Sequence, residues 1–103
     1  MATSSMNEIK NAKIESTFLG YEDHGIFTCF IHLDYGGTSQ QFGGYSIGVK
    51  FLIAVLKTLE VESWENLKGQ HIRVEATHDK VHKIGHLLKD KWFDPKELNR
   101  FIT

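Results

Sequence analysis

Four groups of residues in the chain have types and spacings suited to chemistry. The first is Phe42-Gly43-Gly44-Tyr45-Ser46-Ile47-Gly48, a glycine-rich stretch directly ahead of an apolar run. Backbone N–H groups at a helix start, with no Cβ in the way, can cradle a phosphate. The stretch lacks the Gly-Lys-Ser/Thr ending of a P-loop and the full G-x-G-x-x-G spacing after a parallel strand, so neither nucleotide fingerprint applies. Its other reading is a strand-to-helix turn with a bulge. The second group is Lys89-Asp90-Lys91-Trp92-Phe93-Asp94-Pro95, where cations flank two large aromatics. Aromatic faces stack on bases and cations hold phosphates; alternatively, the two rings anchor the last helix while the lysines stay in water. Arg73 and Arg100, the only arginines, make better phosphate forks than any lysine. Arg73 ranks first because a strand holds it rigidly.

The third group is His78, His82 and His86, whose spacing of four would stack three rings on one face of a helix and suit zinc. Residues 81–88, however, carry β-branched side chains and a central glycine. As a strand they separate successive rings by about 13 Å, too far for one metal. These rings therefore read as solvated or hydrogen-bonded sheet histidines, and no metal or other cofactor is expected. The fourth group, Glu22-Asp23-His24, sets two carboxylates beside an imidazole on a turn, superficially an acid/base arrangement. Adjacent residues rarely converge on one substrate atom, and Cys29 lies in a strand rather than at a strained nucleophile elbow. The group reads as a solvated acid cluster, and no catalytic residue is assigned.

The elements that must position these groups follow from hydrophobic period. Ala12, Ile14, Ser16 and Phe18 alternate with Lys13, Glu15 and Thr17, a half-buried strand ending at Gly20. Gly25 closes a polar turn. In the next run Phe27, Cys29, Ile31, Leu33 and Tyr35 make one apolar face, Gly36-Gly37 turns the chain, and residues 40–45 form a third strand. Residues 46–59 are too long for a typical strand and read as a helix capped by Ser46. Its six consecutive apolar residues, 51–56, go right round the cylinder, which one sheet cannot cover. A second copy of the helix or the C-terminal segment must cover the rest, so a homo-oligomer is expected with Phe51, Ile53, Val55 and Leu56 at its interface. A single turn capped by Ser63 follows. Residues 71–77 and 81–88 then form a second hairpin, in which Gly85 marks a bulge or the close approach of another group. Asp94-Pro95-Lys96-Glu97 starts a last helix over residues 95–101, with an acid cap, proline at the first position and glutamate at the third. The order β-β-β-α-β-β-α gives an α+β domain on an antiparallel sheet.

Composition bounds what such a domain can do. At 103 residues, 41% hydrophobic and 24% charged, the chain fits one domain over residues 8–103, with residues 1–7 a polar, unpatterned and disordered tail. One proline and 12% aromatics exclude a low-complexity or disordered chain. Twelve basic against thirteen acidic residues leave no wholesale nucleic-acid footprint. The distribution is uneven: residues 1–34 carry two lysines against five acids, whereas residues 68–103 carry eight Lys or Arg against five acids and four of the six histidines. A local anion site in the C-terminal third is the expectation. A single cysteine in an apolar strand suits a reducing compartment, and no run nears the roughly 18 apolar residues of a membrane span. The protein is therefore expected in the cytoplasm, neither inserted nor exported.

Taken together, Asn11-Ala12-Lys13-Ile14-Glu15-Ser16-Thr17, Gly20-Tyr21-Glu22-Asp23-His24-Gly25-Ile26, Phe42-Gly43-Gly44-Tyr45, Trp64-Glu65-Asn66-Leu67-Lys68-Gly69-Gln70, Arg73-Val74-Glu75, Ile84-Gly85-His86 and Lys91-Trp92-Phe93-Asp94-Pro95 resemble a family of small phage proteins, the first type of Thoeris anti-defence protein. The similarity runs from about Asn11 to Pro95. It implies an oligomeric sponge in the host bacterial cytoplasm that binds cyclic ADP-ribose-type signals made by TIR-domain enzymes and withholds them intact from the effector. Some members also hold cyclic oligonucleotides at separate sites. The segment after Phe42-Gly43-Gly44-Tyr45 is short here, leaving Ser46-Ile47-Gly48 before the helix, which puts any ligand contact from a longer loop in doubt.

For such a signal, Phe42 or Trp92 would stack an adenine, Arg73, Lys91 and Arg100 would hold the pyrophosphate, and Gly43, Gly44, Ser46 and Gly48 would supply N–H donors. Two other classes stay open. One is a direct protein-binding inhibitor of a host defence system, such as an anti-CRISPR, acting through the acidic residues of 8–34, although five acids make a thin mimic of nucleic acid. The other is a cyclic-nucleotide hydrolase using His24 or His82 as general acid/base.

Overall fold

The computed structural model, which describes residues 7–45 and 48–99, is a curled antiparallel sheet closed by helices. The elements are β1 (Glu8–Tyr21), β2 (Phe27–Tyr35), β3 (Thr38–Tyr45), α1 (Val49–Leu59), a single 3-10 turn (Trp64–Asn66), β4 (His71–Thr77), β5 (Lys80–Gly85), β6 (Trp92–Phe93) and α2 (Lys96–Asn99). All six strands pair antiparallel in one sheet of order β3-β2-β1-β4-β5-β6. The expected α+β fold is thus the observed one. The expected tail falls outside the described residues except for Asn7, whose amide donates to Glu75 at 3.1 Å.

β1 is the seam of the sheet. Residues 8–13 pair with β4 and residues 13–21 with β2, so Lys13 faces both Asp34 and His71. Ala12 and Ile14 are buried, as their alternation predicts. Between Ile14 and Ser16 the register slips, leaving Glu15 as an extra residue. Such a bulge exchanges the two faces of a strand. Phe18 therefore does not continue the face of Ile14, as the simple alternation requires; it stacks on Phe30, on the side away from buried Cys29 and Ile31, and stays 37% exposed. The β2–β3 hairpin turns through Gly36 and Gly37, both at positive φ (65° and 85°). Such a two-residue turn matches the twist of its strands and selects glycine.

The sheet curls until β3 and β5, four places apart in strand order, come into contact. The curl wraps the core, and α1 packs across it against β5 and β6. Phe51, Val55 and Leu59 face inward, and the rings of Phe42, Phe51 and Phe93 form a cluster with centroids 5.7 to 6.1 Å apart. This corrects half of the expected oligomer interface: Phe51 and Val55 are fully buried within one chain and are not available to a second. Leu56 is partly buried against the same core, whereas Ile53 is 47% exposed and Val49 66%. The apolar run goes round the helix, but the curled sheet covers more of it than a flat one would.

Candidate functional site

The residues chosen from sequence fall into two groups on opposite sides of the sheet. Neighbouring strand residues point to opposite faces, so β6 sends Phe93 into the core and Trp92 outward. Trp92 pairs with Gly85, which in turn pairs with Arg73. A Cβ on Gly85 would lie 2.6 to 2.8 Å from atoms of the indole. The close approach expected at this glycine is the Trp92 ring.

On that outer face Arg73 is already committed. Its guanidinium lies 4.9 Å from the centre of the Trp92 ring, its Nε donates to the His86 carbonyl at 2.9 Å, and a terminal nitrogen donates to the Lys89 carbonyl at 2.7 Å. Lys91 is committed as well. Its Nζ donates to the Lys57 carbonyl at 2.8 Å, one of the carbonyls that a helix end leaves unpaired, and to Glu60 at 2.9 Å. Glu60 closes α1 in a left-handed conformation (φ 59°) usually taken by glycine. Its carboxylate also accepts from Lys89 Nζ at 2.9 Å on each oxygen. The hydrogen bonds from Lys89 and Lys91 hold the Glu60 carboxyl down to about 2, from an ordinary 4.5. His86 joins the cluster, its Nδ1 accepting the Leu88 and Lys89 amides at 3.1 Å. Arg73 and Trp92 thus lie together and, with Lys91 bonded to the end of α1, hold residues 86–91 in place.

The inner group converges on a different place. Phe42 and Gly43 line a cleft of about 230 Å³ where the curl brings β3 against β5 and the start of α2, together with Lys80, His82, Pro95 and Lys96. Phe42 is 3% exposed, with its ring against Phe51 and Phe93, so it forms a wall of this cleft and not an open platform for stacking a base. Gly43, at φ 117°, cannot be replaced: a Cβ would meet the Cys29 carbonyl oxygen at 2.5 Å. Asp94 caps α2 as its position before Pro95 implies, its carboxylate accepting the Lys96 amide at 3.0 Å. Neither the Lys80 nor the Lys96 ammonium has an internal partner among the described residues. Gly44 lies on β3 beside the cleft, paired with Cys29, and Gly48 sits at the start of α1; Ser46 and Arg100 lie outside the described residues.

The missed residues are therefore Lys80 and Lys96, whereas His82 is singled out in the sequence but as a sheet histidine or a general acid/base, not as a ligand contact. The sequence signal for the two lysines is only the positive bias of the last third; which of its cations stay free depends on where Glu60 lands. Cys29 is fully buried, and burial pushes its thiol up, which removes it as a nucleophile. Among the described residues no three His, Cys, Asp or Glu side chains cluster as metal ligands. Among known proteins, no family model, curated protein or solved structure matches the chain.

Proposed function

We propose that the protein binds a cyclic ADP-ribose-type signal, or a related cyclic nucleotide, and sequesters it uncleaved, acting as a homo-oligomer in the bacterial cytoplasm. The observation that carries this reading is the β3–β5 cleft: the ammonium groups of Lys80 and Lys96, without partners among the described residues, and the imidazole of His82 share it with the glycine backbone of β3, the apolar edges of Phe42 and Pro95, and one acid, Asp94, whose carboxylate accepts the Lys96 amide. Cations beside apolar walls suit a ligand that is part phosphate and part base. Its 230 Å³ falls below the roughly 300 Å³ at which small-molecule sites begin. A dinucleotide-sized ligand would project from it, so a second copy of the chain would complete the enclosure. The sequence resemblance supports the same ligand class.

Sequestration needs affinity and no bond-breaking. Free signal falls only where sites outnumber it and Kd lies well below its concentration, which calls for nanomolar binding, about −12 kcal/mol. The test is to incubate the purified protein with a cyclic ADP-ribose isomer, separate protein from solution, and heat-denature the protein fraction. Depletion followed by release of intact nucleotide is the expected result; altered nucleotide would make the protein a hydrolase. No depletion would favour direct inhibition of a host protein, for which the β1–β2 tip is suited: Leu19, Tyr21 and Phe27 are exposed there beside Glu22 and Asp23.

A further inference from the structure

A second concavity lies at the far end of the β1–β2 hairpin, and it has the opposite electrostatic character. Gly20 faces Thr28 across the ladder, so β1 sends no side chain into the notch beside Thr28, and the Phe18 ring leans over it, 3.6 Å from where a Gly20 Cβ would stand. Phe18 and Phe30 stack with centroids 5.6 Å apart and planes inclined by 20°. With Tyr21, Glu22, Asp23 and Thr28 they line a solvent-open pocket of about 300 Å³. Thr28 is only 2% exposed, and its hydroxyl has no hydrogen-bond partner among the described residues. A buried hydroxyl left unpaired costs free energy unless something supplies a partner.

The remaining lining narrows what that partner is. The Glu22 carboxylate already accepts the His24 and Ile26 amides at 2.6 and 3.3 Å and faces His24 Nδ1 at 3.1 Å. Asp23 is exposed, with no partner among the described residues. His24, the one basic group in the lining, is held by Glu22. The pocket thus offers ring faces, carboxylate oxygens and a hydroxyl, and it would repel phosphate. Phenyl faces attract cations within about 6 Å of the ring centre, and carboxylates take the N–H groups of guanidinium and ammonium in charge-assisted bonds.

We propose that this pocket binds the guanidinium or primary ammonium head of an organic cation, stacked on Phe18, bonded to Asp23, and donating one N–H to the Thr28 hydroxyl. The inference does not rest on the nucleotide reading and survives its failure. It is tested by calorimetric titration of the full chain with agmatine and, separately, with N-acetyl-arginine amide. At least one probe is expected to bind one per chain, with affinity falling about tenfold in Asp23→Asn and severalfold in Thr28→Val, while Thr28→Val keeps or raises the melting temperature. Binding of agmatine alone assigns a free cation, and binding of the amide alone an arginine carried on a protein; both outcomes uphold the pocket's chemistry. Neither probe binding, or binding that both substitutions leave unchanged, overturns the proposal.

Discussion

The guanidinium of Arg73 sits 4.9 Å from the Trp92 ring centre while two of its nitrogens bond the carbonyls of His86 and Lys89. One side chain thus ties β4 to the loop between β5 and β6. Lysine keeps the charge but not the planar fork. Arg73→Lys should therefore destabilise the fold by about 1–3 kcal/mol, read as a lower urea midpoint with loss of the near-ultraviolet dichroism of Trp92. An unchanged midpoint would mean the clamp is incidental.

Glu60 gives the clamp a pH dependence of known sign. Its carboxyl is depressed from 4.5 to about 2 in the folded chain, so the folded state binds the proton less readily than the unfolded one. The stabilisation is present in full above 4.5 and is lost as pH falls toward 2. Because the carboxylate is partly exposed, salt should weaken the effect. Glu60→Gln should be less stable than the parent at neutral pH, and the two should converge as pH falls through that window in urea titrations. A gap of constant size would place the stabilisation elsewhere.

Two neighbours on α1 separate core from interface. Val55 is fully buried and Ile53 about half exposed. Val55→Asp buries an unpaired charge at about 3–5 kcal/mol, enough to unfold a domain of ordinary stability. Ile53→Asp should leave the fold intact and, if the outer face of α1 is shared between copies, shift the sedimentation profile to a smaller species. A folded Ile53→Asp chain that sediments as the parent does would move the oligomer contact to another surface.

In the β3–β5 cleft, replacing Lys80 and Lys96 together by Glu reverses both charges. Retention of the cyclic nucleotide should fall by at least about 100-fold, two charge-assisted contacts being worth about 1.5–3 kcal/mol each. Circular dichroism should be unaltered, since neither ammonium supports the fold. Retention at parental affinity would remove the cleft from the proposed function.

Much of the fold was legible because local patterning and turn chemistry agree with it. Gly36-Gly37 selected its hairpin, Asp94-Pro95 its helix start, and Gly85 its close contact. Phe18 was misplaced because a one-residue bulge at Glu15 leaves no trace in the alternation before it. The helix was expected to need outside cover because sheet curl is not written in any single segment. The candidate site was harder still. Whether a lysine is free or spent depends on an acid from another element, and Glu60 neutralises Lys89 and Lys91, the two lysines just ahead of the aromatics, while Lys80 and Lys96, each next to an acid in sequence, go without a partner among the described residues. The approach of β3 to β5 that builds the cleft comes from the closed shape of the whole sheet.

The double pairing of β1 has a consequence for how the chain is made. During synthesis β1, β2 and β3 emerge in succession and can zip together through short turns, but residues 8–12, which β2 does not reach, find their strand partner only when residues 71–77 have left the ribosome. Until then the first half of β1 is an open template, and such an edge pairs readily with another nascent chain. In a parallel, in-register match between two unfinished copies, Glu8, Lys10 and Lys13 would each face its own like charge, which disfavours that pairing.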